Sequence, residues 1–181
     1  MTALYSIGHG NRGIKAFIEL LQASDVQCLV DVRAYPRSKR HPQYTRLRLE
    51  PELQAHGIRY LWEGATLGGM RRPQSDSPHA ALADVAFRGY ADHMASGEFA
   101  QGLGRLLELG TATRTAFMCA ETDPRHCHRS FIADALLARG VEVLHLIESH
   151  DVRCHALRAG ARCAASGELI YDTSVQLQLA L

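Results

Sequence analysis

The chain has 181 residues, with 20 Lys+Arg against 19 Asp+Glu, a hydrophobic fraction of 46% and a charged fraction of 22%. That length suits one domain, and the apolar content offsets the ordering entropy that keeps polar chains disordered. A net charge of +1 excludes a globally basic nucleic-acid coat, and no apolar window approaches the ~18 residues of a membrane span.

LYSIG at 4–8 is a short apolar run that breaks at glycine, which predicts a first strand. Asn11 is the expected N-cap of a helix running to about Ala23, with Ile14, Phe17, Ile18 and Leu21 on one face. CLVDV at 28–32 is near-continuously apolar, as in a strand buried on both faces. A helix is expected around Leu49–Ala55 and a third strand over Ile58–Trp62. From Glu63 to about Asp84 the chain reads as a long loop, and loops of that length are usually functional or disordered. Helices at about 86–95 and 97–109 come next, then a strand at 115–119, TAFMC. A helix is expected from near Cys127 to Ala138, with Gly140 just past its end, followed by a strand at 141–147. In the tail, ELIY has strand character and VQLQLAL reads as either type.

Alternating strands and helices predict an α/β, three-layer sandwich: a mainly parallel sheet of about five strands with helices on both faces. The division expected is an α/β domain over 1–148 and a C-terminal extension over 149–181. Five cysteines with no secretory leader predict reduced thiols in the cytoplasm. Cys28, in its apolar run, reads as packing.

In a parallel sheet, ligands bind beyond the carboxyl ends of the strands. Three such ends carry unusual residues: Gly8-His9-Gly10-Asn11-Arg12, Asp31-Val32-Arg33, and Cys119-Ala120-Glu121 through Cys127-His128-Arg129-Ser130. Gly8, Gly10 and Gly13 spell G-x-G-x-x-G, with Asp31 18 residues beyond Gly13. This spacing fits a dinucleotide fingerprint, and equally some other site loop or a plain glycine turn. The Cys127–Ser130 segment opens a helix, whose free N–H groups attract anions and lower a thiol pKa. Arg129 is the expected bidentate grip on an anion. Spacing argues against a structural zinc site, because seven residues separate Cys119 from Cys127. A looser metal site using His9, Glu121 or His128 stays open, and no metal is assigned. Between Arg33 and Leu49 lie Arg33, Arg37, Lys39, Arg40, Arg46 and Arg48 with no acid, interleaved with Tyr35 and Tyr44; Arg71-Arg72 add to the charge. Such a pattern suits a phosphate-rich ligand.

Ile7–Arg12, Val30–Ser38, Phe87–Ala91 and Met118–Glu121 with Cys127–Ser130 resemble a prokaryotic family, domain of unknown function 488 (DUF 488), from about Leu4 to Leu146. The family usually has Gly-His-Ser-Asn where this chain has Gly8-His9-Gly10-Asn11. The resemblance carries over His9, Asn11, Arg33, Pro36, Cys119, Glu121, Cys127, His128 and Arg129 as site positions. A fainter likeness to rhodanese sulfurtransferases lies in Leu29–Arg33 and in a strand ending at Cys119 before Arg129-Ser130.

Together these readings predict an enzyme-like site for a phosphate-bearing ligand, a nucleotide or DNA or RNA, with no membrane partner and no cofactor assigned. Gly8, Asn11, Arg33, Arg37, Arg129 and Ser130 are the expected ligand-binding residues. His9, Cys119, Glu121, Cys127 and His128 are the expected catalytic ones. The alternatives are a rhodanese-like sulfurtransferase using Cys119 or Cys127, and a non-catalytic nucleic-acid-binding module.

Overall fold

A computed structural model describes residues 3–165 and 167–172. Five strands run parallel: β1 (Leu4–Gly8), β2 (Cys28–Asp31), β3 (Arg59–Trp62), β4 (Thr115–Cys119) and β5 (Val143–Glu148). An antiparallel strand, β6 (Asp151–Cys154), adds to the edge, giving the order β3-β2-β4-β1-β5-β6. Strands β7 (Ala161–Cys163) and β8 (Leu169–Tyr171) form a separate antiparallel hairpin. The helices are α1 (Ile14–Gln22), α2 (Arg46–Ala55), α3 (Gly64–Leu67), α4 (Val85–His93), α5 (Gly97–Ala112) and α6 (Arg129–Leu137).

The sandwich follows from side-chain alternation along the strands. Leu29, Ala116 and Met118 pack with Phe17, Ile18, Leu49 and Leu53 of α1 and α2. Their strand neighbours Cys28, Val30 and Phe117 turn to the other face, against Tyr90, Phe99, Leu103 and Phe131 of α4, α5 and α6. The three-layer α/β reading therefore holds, with an antiparallel sixth strand added to the expected five.

Several local expectations are corrected. Gly13, not Asn11, occupies the N-cap of α1, and no side chain caps that end. Helix α2 begins three residues before the expected Leu49 and accommodates Pro51. The expected loop from Glu63 contains the short α3 before its irregular run. Gly140 has φ +76°, the left-handed conformation that glycine adopts without steric cost past a helix end. The ELIY strand is present as β8, whereas the VQLQLAL segment lies outside the described residues. Leu169 and Tyr171 of the extension join the core cluster on the α6 face.

A buried polar chain crosses that face. Asp134, on α6 and fully buried, accepts from His155 Nε2 at 2.8 Å, from the Tyr171 hydroxyl at 2.9 Å and from the Arg158 backbone N–H at 3.1 Å. His155 Nδ1 and His145 Nε2 share a hydrogen bond at 2.9 Å, and His145 Nδ1 and the Ser6 hydroxyl share one at 2.8 Å. Ser6 Oγ in turn accepts from Arg129 Nε at 3.1 Å. Arg129 has no exposed surface, and its two other nitrogens donate to the carbonyls of Glu121 and Thr122. Burial lowers its pKa to about 10, which leaves it charged near neutrality.

Two measurements test these buried groups. Burial, reinforced by the neighbouring His155 and Arg129, lowers the His145 pKa to about 3. Burial likewise lowers that of His9 to about 4. The unfolded chain, with histidine near 6.5, binds more protons below that value, so stability is complete above about pH 6.5 and lost as pH falls. The expected loss at pH 5 is about 2 kcal/mol for each of these two rings. Urea midpoints measured from pH 7 to pH 5 should fall accordingly; a flat profile would show that protons reach both rings without unfolding. Arg129→Ala strands two carbonyls and a serine, and should cost about 3–5 kcal/mol by denaturant titration. Arg129→Lys should recover less than half of that loss, because an ammonium cannot span both carbonyls as the planar fork does. Full recovery by lysine would show that charge alone is needed.

Candidate functional site

The parallel strands bring the ends of β1, β2 and β4 to one edge of the sheet. A cleft of ≈ 610 Å³ opens there, lined by residues from all three ends and by the 34–41, 69–70 and 86–90 segments. Of the expected site residues, His9, Asn11, Arg33, Arg37, Cys119, Glu121, Cys127 and His128 line it. Gly8, Arg129 and Ser130 do not, nor does Pro36, whose carbonyl accepts the Arg46 backbone N–H at 2.9 Å.

The first three of these have further physical reasons. Arg129 is committed to Ser6 and to the 121–122 carbonyls, so it holds the loop rather than a ligand. Gly8 is buried against that same loop, and a Cβ there would collide with the Glu121 carbonyl. Gly10, at φ +53°, has Thr122 where its side chain would stand. These two glycines therefore admit the 119–122 loop. Ser130 donates to the Cys127 carbonyl at 2.9 Å and borders a second cavity beside His145 and Arg158.

The dinucleotide fingerprint also loses its acid. Asp31 is fully buried and receives Arg33 Nε at 2.9 Å, Arg33 Nη2 at 2.6 Å and the Tyr60 hydroxyl at 2.7 Å. No ribose can reach it. Arg33 Nη2 also donates to the Tyr44 carbonyl at 2.8 Å, whereas Nη1 has no partner among the described residues. Tyr44, one of the two rings in the basic stretch, is fully buried and so is not open to a ligand. Its ring instead supports His9, stacked at 4.2 Å between centroids.

His9 donates through Nδ1 to the Gly10 carbonyl at 2.9 Å, which leaves Nε2 as the acceptor of a neutral ring. His128 is held the other way round. Its Nε2 donates to the Val32 carbonyl at 3.0 Å, and burial lowers its pKa to about 4. The free Nδ1 lies 3.8 Å from the Cys127 sulfur.

The expectation of reduced thiols is corrected at one pair: Cys119 and Cys127 are joined as a disulfide at the cleft floor. The folded loop brings their sulfurs together across eight positions of sequence, a proximity that spacing rules do not detect. Cys28, Cys154 and Cys163 remain free, and Cys28 is buried in the core as expected. The donor atoms of Cys119, Cys127 and His128 lie within 4.8 Å of one another. Once reduced, they present the two thiolates and one imidazole of an open Cys₂His metal site. Sulfurs bonded to each other lack the thiolate charge that such a site needs.

Arg40 and His41 also line the cleft. Arg40 was visible in the basic stretch; nothing in the sequence marked His41. Arg71 lies outside the lining, donating to the Gly68 and Ala65 carbonyls.

No helix among the described residues is long and apolar enough to cross a membrane. No curated protein and no solved structure shows a significant match, so the rhodanese likeness has no support beyond the Leu29–Arg33 stretch and the loop after Cys119. A family model described as "Domain of unknown function DUF488" matches residues 13–136, starting just after the Ile7–Arg12 motif. With more than half of its length matched, and the other quoted motifs inside that span, the chain belongs to the DUF488 family.

Proposed function

We propose that the cleft binds a small anionic, phosphate-bearing ligand of the nucleotide class, in an enzyme-like site. The observation that carries this reading is an imbalance of charge. Arg37 and Arg40 line the cleft against a single acid, Glu121, beside Arg33, whose charge Asp31 already balances. Neither Arg37 nor Arg40 has an acidic partner among the ion pairs of the described residues. Unpaired guanidinium groups beside a concave surface favour phosphate, which they grip in bidentate fashion.

Two further features fit a nucleotide. Tyr35 is 60% exposed beside the arginines, with the Arg37 guanidinium 5.6 Å from its ring centre. An exposed ring of this kind can stack on a base. The cleft volume of ≈ 610 Å³ lies within the ~300–1,000 Å³ range of small-ligand sites, which favours one bound nucleotide over a long nucleic-acid strand. His9 supplies a neutral acceptor nitrogen, and Glu121, exposed in the lining, is the carboxylate available to exchange a proton.

Calorimetric titration with adenosine, its mono-, di- and triphosphates and inorganic phosphate tests this reading. Binding should require phosphate and weaken with added salt. Arg37→Ala with Arg40→Ala should lower affinity at least ~10-fold, from the loss of charge-assisted hydrogen bonds. Arg46→Ala with Arg48→Ala, on exposed α2 positions outside the cleft, should change it little. Absence of binding at low salt would overturn the proposal. So would binding confined to DNA or RNA and dependent on Arg46 and Arg48.

A further inference from the structure

We propose that Cys119 and Cys127 form a reversible dithiol–disulfide centre that exchanges with small disulfides entering the cleft, Cys127 being the attacking thiol and Cys119 the resolving one. The inference does not depend on the nature of the anionic ligand.

Three observations support it. The bridge lines the floor of an open cleft, where Cys119 keeps 4% and Cys127 3% of its surface exposed. The two sulfurs have different surroundings. Cys127 Sγ accepts the Arg129 backbone N–H at 3.4 Å, at the start of α6, and faces His128 Nδ1 at 3.8 Å. His128 is anchored by Val32, so its Nδ1 is available to accept from a Cys127 thiol. Helix N–H groups favour the thiolate, and the thiolate is the species that attacks. Cys119, at the end of β4, has no such donor among the described residues. Moreover, the loop between the cysteines does not rely on the bridge. Arg129 holds its carbonyls, Gly10 N–H donates to Ala120, and Asp123 caps the Arg125 backbone N–H. Opening the S–S bond therefore leaves both sulfurs in place to close it again.

The exchange balances as follows. The Cys127 thiolate attacks one sulfur of a disulfide RSSR; the Cys127–S–SR bond forms, the R–S–S–R bond breaks, and RS⁻ leaves. The Cys119 thiolate then attacks the Cys127 sulfur, closes the protein disulfide and expels a second RS⁻. Two protons from the dithiol end on two RSH, and two electrons pass from the protein to RSSR. Excess RSH drives the same steps in reverse.

The test uses the full chain with Cys154→Ser and Cys163→Ser, which remove the two exposed free thiols. After reduction, the protein is treated with neutral hydroxyethyl disulfide or anionic oxidised glutathione, alkylated and mapped by mass spectrometry. The expected result is one Cys119–Cys127 linked peptide and two RSH released per chain. Adding Cys119→Ser should trap a single R group on Cys127. Adding Cys127→Ser should slow reaction at Cys119 at least tenfold. Equal rates with the two probes would also support the couple while counting against a cationic rim, so the two readings can fail separately. Failure of the reduced wild-type pair to close under excess disulfide, or equal reactivity of the two single variants, would overturn the proposal. A metal ion on the reduced pair that blocks closure until a chelator removes it would also overturn it. Circular dichroism and thermal melts of each variant separate loss of exchange from loss of fold.

Discussion

A guanidinium with no exposed surface organises the carboxyl edge of this sheet. Arg129 lies at the first position of α6, where the helix N–H groups already carry partial positive charge. Desolvating such a cation costs several kcal/mol. Carbonyl dipoles from Glu121 and Thr122, and the Ser6 hydroxyl, offset that cost. All three bonds are charge-assisted, the strong kind in a low-dielectric interior. The arrangement also demands a bare backbone at Gly8, since any side chain there would meet the same loop. One arginine and one glycine thus set how closely the β4–α6 loop approaches the end of β1.

The rest of the cleft is built on that approach. Because the loop is pinned, Cys127 reaches back to Cys119 at the end of β4, and His128 reaches across to the Val32 carbonyl beyond β2. A second buried arginine does similar work on the other side. Arg33 is clamped by Asp31 and by the Tyr44 carbonyl, and its own carbonyl accepts from Trp62 Nε1 at 2.9 Å. This leaves the following arginines, Arg37 and Arg40, on an exposed turn, free of the network that holds Arg33. Charge is therefore divided by depth: buried arginines position the backbone, and surface arginines supply the field that a ligand meets.

The sequence made the sheet largely legible, because buried parallel strands are short continuous apolar runs such as CLVD and TAFMC. It showed which strand ends would share an edge, and most of the expected site residues do line the cleft there. It could not separate Arg129 from Arg37, since one-dimensional pattern carries no information on depth. Nor could it foresee the partners of His145: Ser6 stands 139 positions away and His155 ten. Strand β6 was missed because DVRC is half charged and sits at an edge, where one face needs no apolar cover. The glycine fingerprint misled for a related reason. Glycine permits close backbone approach, but the sequence does not say whether a pyrophosphate or a neighbouring loop makes it.

The extension after residue 148 bears on the cleft without lining it. His155, Arg158 and Tyr171 converge on Asp134, one turn of α6 beyond Ser130. Arg158 also donates to Ser130 Oγ at 2.7 Å, and its guanidinium lies 4.6 Å from the centre of the Phe131 ring. These contacts grip the first two turns of the helix whose N-terminus carries Arg129 and meets the Cys127 sulfur. A buried carboxylate bound by three donors has little freedom to shift, because each lost bond leaves charge unsatisfied in a low-dielectric interior. The extension therefore fixes the position of α6 along the sheet, and through Arg129 the height of the cleft floor. Its chemical identity matters less to a ligand than its hold on Asp134, so changes at Tyr171 or His155 should be felt at the cleft as altered geometry rather than as lost contacts.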